Sequence, residues 1–285
     1  MKIRFTTLVA ALVLTIDLSL PVRAEDAGPW RVFYTGHSFA GAAPAWLGSL
    51  AQQGGVAGYE NLGRQSLGGS RVIDHWNLAD EKNIAKKTLA TGTVDVLVLA
   101  PNMHMPDEGI DRFVDLARQH HPAVRIAVQA SWMTWDGLGR NGITNAGRDT
   151  RPVSEIRERT MKHLDEVRAQ LRAINARVGA DICHLIPTGA AVVRLRERIA
   201  AGELPGYDRP SLLFHDDIGH AGLAVQHLNA YLHYAVIFRR DPRTLAGIGW
   251  PVREPEPVPG FRKILLEIAW ESALAEPLSG VTDAL

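Results

Sequence analysis

The sequence predicts an α/β chain, a three-layer α/β/α sandwich around a central, mostly parallel five-stranded sheet. Apolar runs of strand length alternate with segments of helical period along most of its length. The runs are near-continuous Val, Leu and Ile, as in Val94-Asp-Val-Leu-Val-Leu-Ala100, which suits strands covered on both faces. Repeated strand–helix alternation implies βαβ units, whose strands are parallel.

The first 24 residues read as a secretory leader. Lys2 and Arg4 form a basic start, Leu8–Ile16 is mostly apolar, and Val22-Arg23-Ala24 suits cleavage before Glu25. Asp17 interrupts the apolar run, which falls short of the ~20 residues a membrane span needs. The expectation is a periplasmic or secreted protein, cleaved after Ala24, with no integral span in the mature chain.

Strands are expected at 31–35, 94–100, 124–130 and 181–186, with a weaker one near 59–62. Helices are expected at 43–53, 110–120 and 153–178. In the last, Ile156, Leu164, Val167, Leu171, Ile174 and Val178 recur at three- and four-residue steps and make one apolar stripe. Further helices follow Pro187 (192–199) and His220 (223–238). Residues 131–152, rich in Gly, Asn and Arg, read as a long loop of the kind that carries function. A proline-rich connection, 241–259, leads to a last helix at 261–275. No linker or repeat divides the chain, so 25–285 is expected to be one domain.

Composition excludes several classes. Lys plus Arg total 31 and Asp plus Glu total 31, so nothing in the charge balance suits nucleic acid or an anionic membrane. Cys183 is the only cysteine, which rules out an intramolecular disulfide; it lies in an apolar run and reads as a small buried hydrophobe.

Four short blocks carry the chemistry. Gly36-His37-Ser38-Phe39 follows the first strand, and Gly68-Gly69-Ser70 follows the weak second one. Pro101-Asn102-Met103-His104 follows the 94–100 strand, and Asp217-Ile218-Gly219-His220 comes late. In parallel sheets active sites lie at the carboxyl ends of strands, where Ser38 and Asn102 fall. A serine hydroxyl needs a base to take its proton, and a histidine does this near neutral pH. A carboxylate fixes that imidazole's tautomer, and Asp217 is the expected partner, with the neighbouring Asp216 a second candidate. A tetrahedral intermediate needs donors for its oxyanion, and Asn102, a glycine N–H and the Ser38 N–H can supply them. The last block is expected to open a helix near Gly219. Asp181-Ile-Cys-His184 also fits Asp-x-x-His, but on a strand residues three apart face opposite sides.

The order of the blocks resembles the SGNH hydrolases, also called the GDSL family, over roughly residues 31–242. The resemblance implies a flavodoxin-like fold and an esterase working through an acyl-serine. Ser38, Asp217 and His220 would be catalytic, and Ser38, Gly69 and Asn102 would form the oxyanion hole, with no cofactor and no metal. Gly69 is preferred to Gly68, because the family's glycine precedes a small polar residue. The chain departs from the pattern at His37, which stands where the family usually has Asp; it is read as a structural neighbour or a substrate contact. His37, His104 and His215 lack metal-ligand spacing. Gly-His-Ser-Phe-Ala also approaches the Gly-x-Ser-x-Gly elbow of α/β-hydrolases. That elbow follows several strands, however, and its acid and histidine lie far apart.

Trp132, Trp135 and Trp76 suit stacking on sugar rings, and Arg140, Arg148 and Arg71 could meet an anionic group. The expected substrate is a small-molecule or glycan ester, with a carbohydrate O-acetyl esterase favoured over a lipase or short-chain esterase. Transfer of the acyl group to a polysaccharide passes through the same acyl-serine, so the residues leave it open. A catalytically inactive glycan-binding protein is the third reading.

Overall fold

The computed structural model describes residues 28–41, 43–246, 256 and 258–283. The expected leader, 1–24, and part of the 241–259 connection lie outside the described residues. In chain order the elements are β1 (Trp30–Gly36), α1 (Ala43–Gln53), β2 (Tyr59–Ser66), α2 (Val72–Trp76), α3 (Ile84–Leu89), β3 (Val96–Ala100) and α4 (Glu108–His120). There follow β4 (Arg125–Gln129), α5 (Val153–Val178), β5 (Cys183–Ile186), α6 (Thr188–Ala200), α7 (Leu223–Phe238) and α8 (Phe261–Ala275). The five strands make one sheet in the order β2-β1-β3-β4-β5, every pair parallel. This is the flavodoxin-type order, with its switch point between β1 and β3.

Alternate residues of each inner strand feed two cores. Val32, Tyr34, Val96 and Val98 face α1, α6, α7 and α8. Phe33, Leu97, Leu99, Ile126 and Val128 face the layer built from α2 to α5. Because both faces are covered, β3 is buried along its whole length, which is why its sequence is an unbroken apolar run. The edge strand β2 pairs only with β1 and is half exposed, so its sequence Tyr-Glu-Asn-Leu-Gly-Arg-Gln-Ser carries little apolar signal. It nevertheless runs to Ser66, four residues beyond the expected end.

The two short helices α2 and α3 are absent from the sequence expectation, since five or six residues cannot display a 3.6-residue period. Tertiary contacts hold α2 instead. The buried Asp107 carboxylate accepts from Val72 N–H (2.6 Å) and Ile73 N–H (3.0 Å) at its start. It also accepts from Gly109 N–H (3.0 Å), capping α4 with the same group. The helix expected near Gly219 begins only at Leu223. No helix among the described residues is long and apolar enough to cross a membrane.

Candidate active site

Ser38 opens a single 3-10 turn, residues 38–40, directly after β1. Gly36 lets β1 and β3 approach here: a Cβ at residue 36 would lie 2.7 Å from the Ala100 side chain. His37 is the N-cap of the turn. Its Nδ1 accepts from Phe39 N–H (3.3 Å), and its Nε2–H donates to the Pro101 carbonyl (3.1 Å). Burial lowers its pKa and outweighs the hydrogen bond to Pro101, so the ring is neutral. An acceptor at this position suffices for the cap, and the imidazole also ties the serine turn to the loop after β3. From below, Gln129 Nε2 donates to the Phe39 carbonyl (3.1 Å). Asn229 and Thr188 continue that buried chain.

Ser38 is exposed, and its Oγ lies 2.9 Å from His220 Nε2. The carboxylate on the other side of the imidazole belongs to Asp216, not to Asp217. Asp216 Oδ2 is 2.6 Å from His220 Nδ1. The reason is local geometry. Residues 214–221 form a tight loop closed by an antiparallel bridge between Phe214 and Ala221 and by the His215 N–H to His220 carbonyl bond (2.8 Å). Asp216 Oδ1 caps its interior, accepting from Gly219 N–H (2.9 Å) and His220 N–H (3.1 Å). Gly219 makes the turn at φ +101°, a region that disfavours side chains. Asp217 is thereby turned outward, and its Oδ1 accepts from Asn145 N–H (2.6 Å). Partial burial raises the Asp216 pKa, but the hydrogen bonds from His220 and Gly219 outweigh it and bring it to about 2. An ionised Asp216 requires the proton on His220 Nδ1, which leaves the Nε2 lone pair facing the serine hydroxyl.

The second and third blocks meet across the sheet's carboxyl edge. Asn102 Oδ1 accepts from His104 N–H (2.9 Å), which orients its amide, and Nδ2 donates to the Gly69 carbonyl (3.3 Å). Ser70, His75 and Gln65 brace this glycine loop. Gln65 Nε2 donates to His75 Nδ1 (3.2 Å), so His75 Nε2–H donates to Ser70 Oγ (2.8 Å) and the Ser70 hydroxyl donates to the Leu67 carbonyl (3.0 Å). This second serine–histidine pair runs in the wrong direction for a nucleophile: its histidine donates to the serine instead of accepting from it.

The 131–152 loop cradles the histidine loop. Asp136 is buried and bonds Arg196 twice (2.7 and 2.9 Å) and Arg148 Nε (3.3 Å). Arg148, fully buried, donates to the carbonyls of Asp216 (3.1 Å) and Asp217 (2.8 Å). It is therefore a brace for the histidine loop, and the expected contact with an anionic substrate is corrected. Arg71 is likewise occupied, by the Pro106 carbonyl (3.1 Å). Trp76 packs edge-on to Phe113, half-buried against the core behind the sheet. Trp132 is buried, stacked on Phe39 at 4.7 Å, with its indole N–H on the Gly219 carbonyl (2.8 Å). It supports the floor of the site, with one face taken by Phe39 and little surface left for stacking on a sugar. Trp135 is half-buried on the rim, its backbone N–H held by the Ile218 carbonyl (2.9 Å). Trp135 and Asp136 both lie in the left-handed region, at φ 47° and 53°. Arg140 is exposed beside Trp135.

Ser38 and His220 stand between two hollows. A recess of about 310 Å³ is lined by Gly41, His215, Ala221, Gln226 and Asn229. A cavity of about 700 Å³ opens on the other side, bounded by His37, Gly68, Gly69, Asn102, Trp135 and Arg140, among others. Both glycines of the second block reach it. His104 and His163 line it as well, while His215 lies in the smaller recess. Asp136, Arg196, Gln129 and His163 had no motif to mark them in the sequence. The Asp216–Asp217 doublet was visible, but not which carboxylate turns inward.

No family model matches the chain, and no curated protein matches it. Among solved structures it is similar to a protein from Slackia heliotrinireducens described as "a putative SGNH hydrolase". The likeness has a TM-score of 0.45 and 18% identity, over 71% of this chain and 96% of that one.

Proposed function

We propose that the protein is a serine esterase of the SGNH type, exported and acting on O-acetylated carbohydrate. The observation that carries the reading is the continuous chain Ser38 Oγ–His220 Nε2 (2.9 Å) and His220 Nδ1–Asp216 Oδ2 (2.6 Å), facing a cavity that Gly69 and Asn102 also line.

In this reading Ser38 Oγ attacks the ester carbonyl carbon as His220 Nε2 takes the hydroxyl proton. The carbonyl π pair moves onto oxygen, and the N–H groups of Ser38 and Gly69 and the Asn102 amide receive the oxyanion. Collapse expels the alcohol, which takes the proton from Nε2 and leaves an acyl-serine. Water then attacks the acyl carbon, giving its proton to His220. The acid leaves as the Ser38 hydroxyl is restored. Asp216 stays ionised and stabilises the imidazolium formed in each half. Trp135 and Arg140 on the cavity rim are the remaining candidates for contact with the sugar. The small volume of an acetyl group, set against a 700 Å³ cavity, favours a bulkier alcohol part.

Turnover of p-nitrophenyl acetate by wild type, Ser38→Ala and Asn102→Ala tests the mechanism. Ser38→Ala should abolish it, and Asn102→Ala should lower kcat on the order of 10²–10³-fold. Equal rates in all three would remove the reading. Acetate release from acetylated xylan, with no cleavage of long-chain esters, is the expected substrate profile.

A further inference from the structure

We infer that His163 is the polar anchor of the larger cavity, holding an uncharged oxygen of the substrate's alcohol part; this rests on the esterase reading. His163 projects from the middle of α5 and is 4% exposed, yet it lines the same cavity as Ser38 and Asn102. Its Nδ1 is buried without a hydrogen-bond partner, and no bond to its other ring nitrogen exists among the described residues.

The fold does not ask for an imidazole there. His163 falls on the apolar stripe of α5 between Ile156 and Val167, next to Leu164, where a hydrocarbon would pack without an unpaired polar atom. Asn175, another polar group on that stripe, is satisfied: its amide accepts from the Cys183 N–H (2.9 Å) and donates to the Cys183 carbonyl (3.2 Å). His163 has no such internal use. Its Nδ1 is shut off from solvent, so the capacity left for whatever enters the cavity is that of Nε2, which is not sealed in the same way.

The chemistry of the surroundings selects the occupant. Phe39, Pro101, Met103, Trp132 and Ile218 contribute apolar wall, and none of the described residues lining this cavity is acidic. Arg140 is exposed at its rim, and burial keeps both His37 and His163 neutral. A neutral imidazole in a largely apolar wall complements a hydroxyl or ester oxygen on an uncharged group. A sugar ring bearing ester groups offers such oxygens, and a phenyl group offers none.

The test compares xylose tetraacetate with phenyl acetate. In His163→Phe, which keeps an aromatic ring and removes both nitrogens, the ratio of kcat/KM for the sugar ester over phenyl acetate should fall at least tenfold, mainly through KM. An unchanged ratio overturns the proposal. Binding separates this from the fate of the esterase reading. Titration calorimetry of Ser38→Ala with xylose tetraacetate should give a Kd that Ser38→Ala/His163→Phe weakens about tenfold, whether or not wild type turns the ester over. Equal affinity, or no binding by Ser38→Ala, overturns it. Should the phenylalanine variant not fold, the ¹⁵N ring signals of His163 in Ser38→Ala decide: they should shift on adding the sugar ester, and signals that stay put overturn the proposal.

Discussion

Two adjacent aspartates divide the work at His220, and the division is set by a turn. Asp216 reaches the imidazole because its carboxylate also closes the loop over Gly219 and His220. Asp217 faces outward and holds the neighbouring loop through Asn145. The two therefore respond differently to the same substitution. Asp216→Asn should lower p-nitrophenyl acetate turnover by on the order of 10³–10⁴-fold, because an amide can present its N–H to Nδ1 and favour the wrong tautomer. Asp217→Asn keeps the acceptor for Asn145 and should stay within about tenfold of wild type. A larger loss in Asp217→Asn than in Asp216→Asn would return the carboxylate role to Asp217. His37 shows the same logic. Its buried, neutral ring caps the serine turn and holds the Pro101 carbonyl, so the fold uses it for hydrogen bonding and not for charge.

At the scale of elements, the site is a meeting of loops braced from behind. The 131–152 loop has almost no helical or apolar pattern, yet its Asp136 sits between two buried arginines. Arg148 extends that brace to the carbonyls of the histidine loop. Removing Asp136 leaves two cations buried without their shared partner. Asp136→Ala should therefore cost about 3–5 kcal/mol in urea unfolding. It should also lower p-nitrophenyl acetate turnover in the protein that remains folded, since Arg148 loses its anchor. A cost below about 1 kcal/mol would show that the brace is not structural. The left-handed backbone at Trp135 and Asp136 belongs to the same device, because such conformations persist only where the surroundings over-determine them. The glycine loop has its own brace in Gln65, His75 and Ser70.

Over the whole molecule, several histidines are buried in the neutral form. Burial is the first cause in each case. It takes His75, His184 and His233 down to about 4 and His227 to about 3. Their folded values lie below the ~6.5 of an unfolded chain. Between about pH 6.5 and 4 the unfolded state therefore binds up to four protons at these four positions that the folded state does not. Stability must fall as pH falls through that window, by about 1.4 kcal/mol per pH unit for each proton taken up. The urea midpoint should drop steadily from pH 7 to pH 5; a flat midpoint there would contradict the neutral burial. The sequence by itself determined the layers and most element ends, because continuous apolar runs and a 3.6-residue stripe report burial directly. Helices α1, α5 and α8 fall at their expected bounds, and α7 ends where expected. It also marked Ser38, Asn102 and His220, since strand ends and short blocks are local features. Only the tertiary structure decided which aspartate serves His220, what His37 does, and that Arg148, Trp132 and Trp76 belong to the framework. Those outcomes depend on where loops far apart in the chain come to lie, and on which carboxylate, ring or guanidinium finds a buried partner there. No pattern within one segment carries that information.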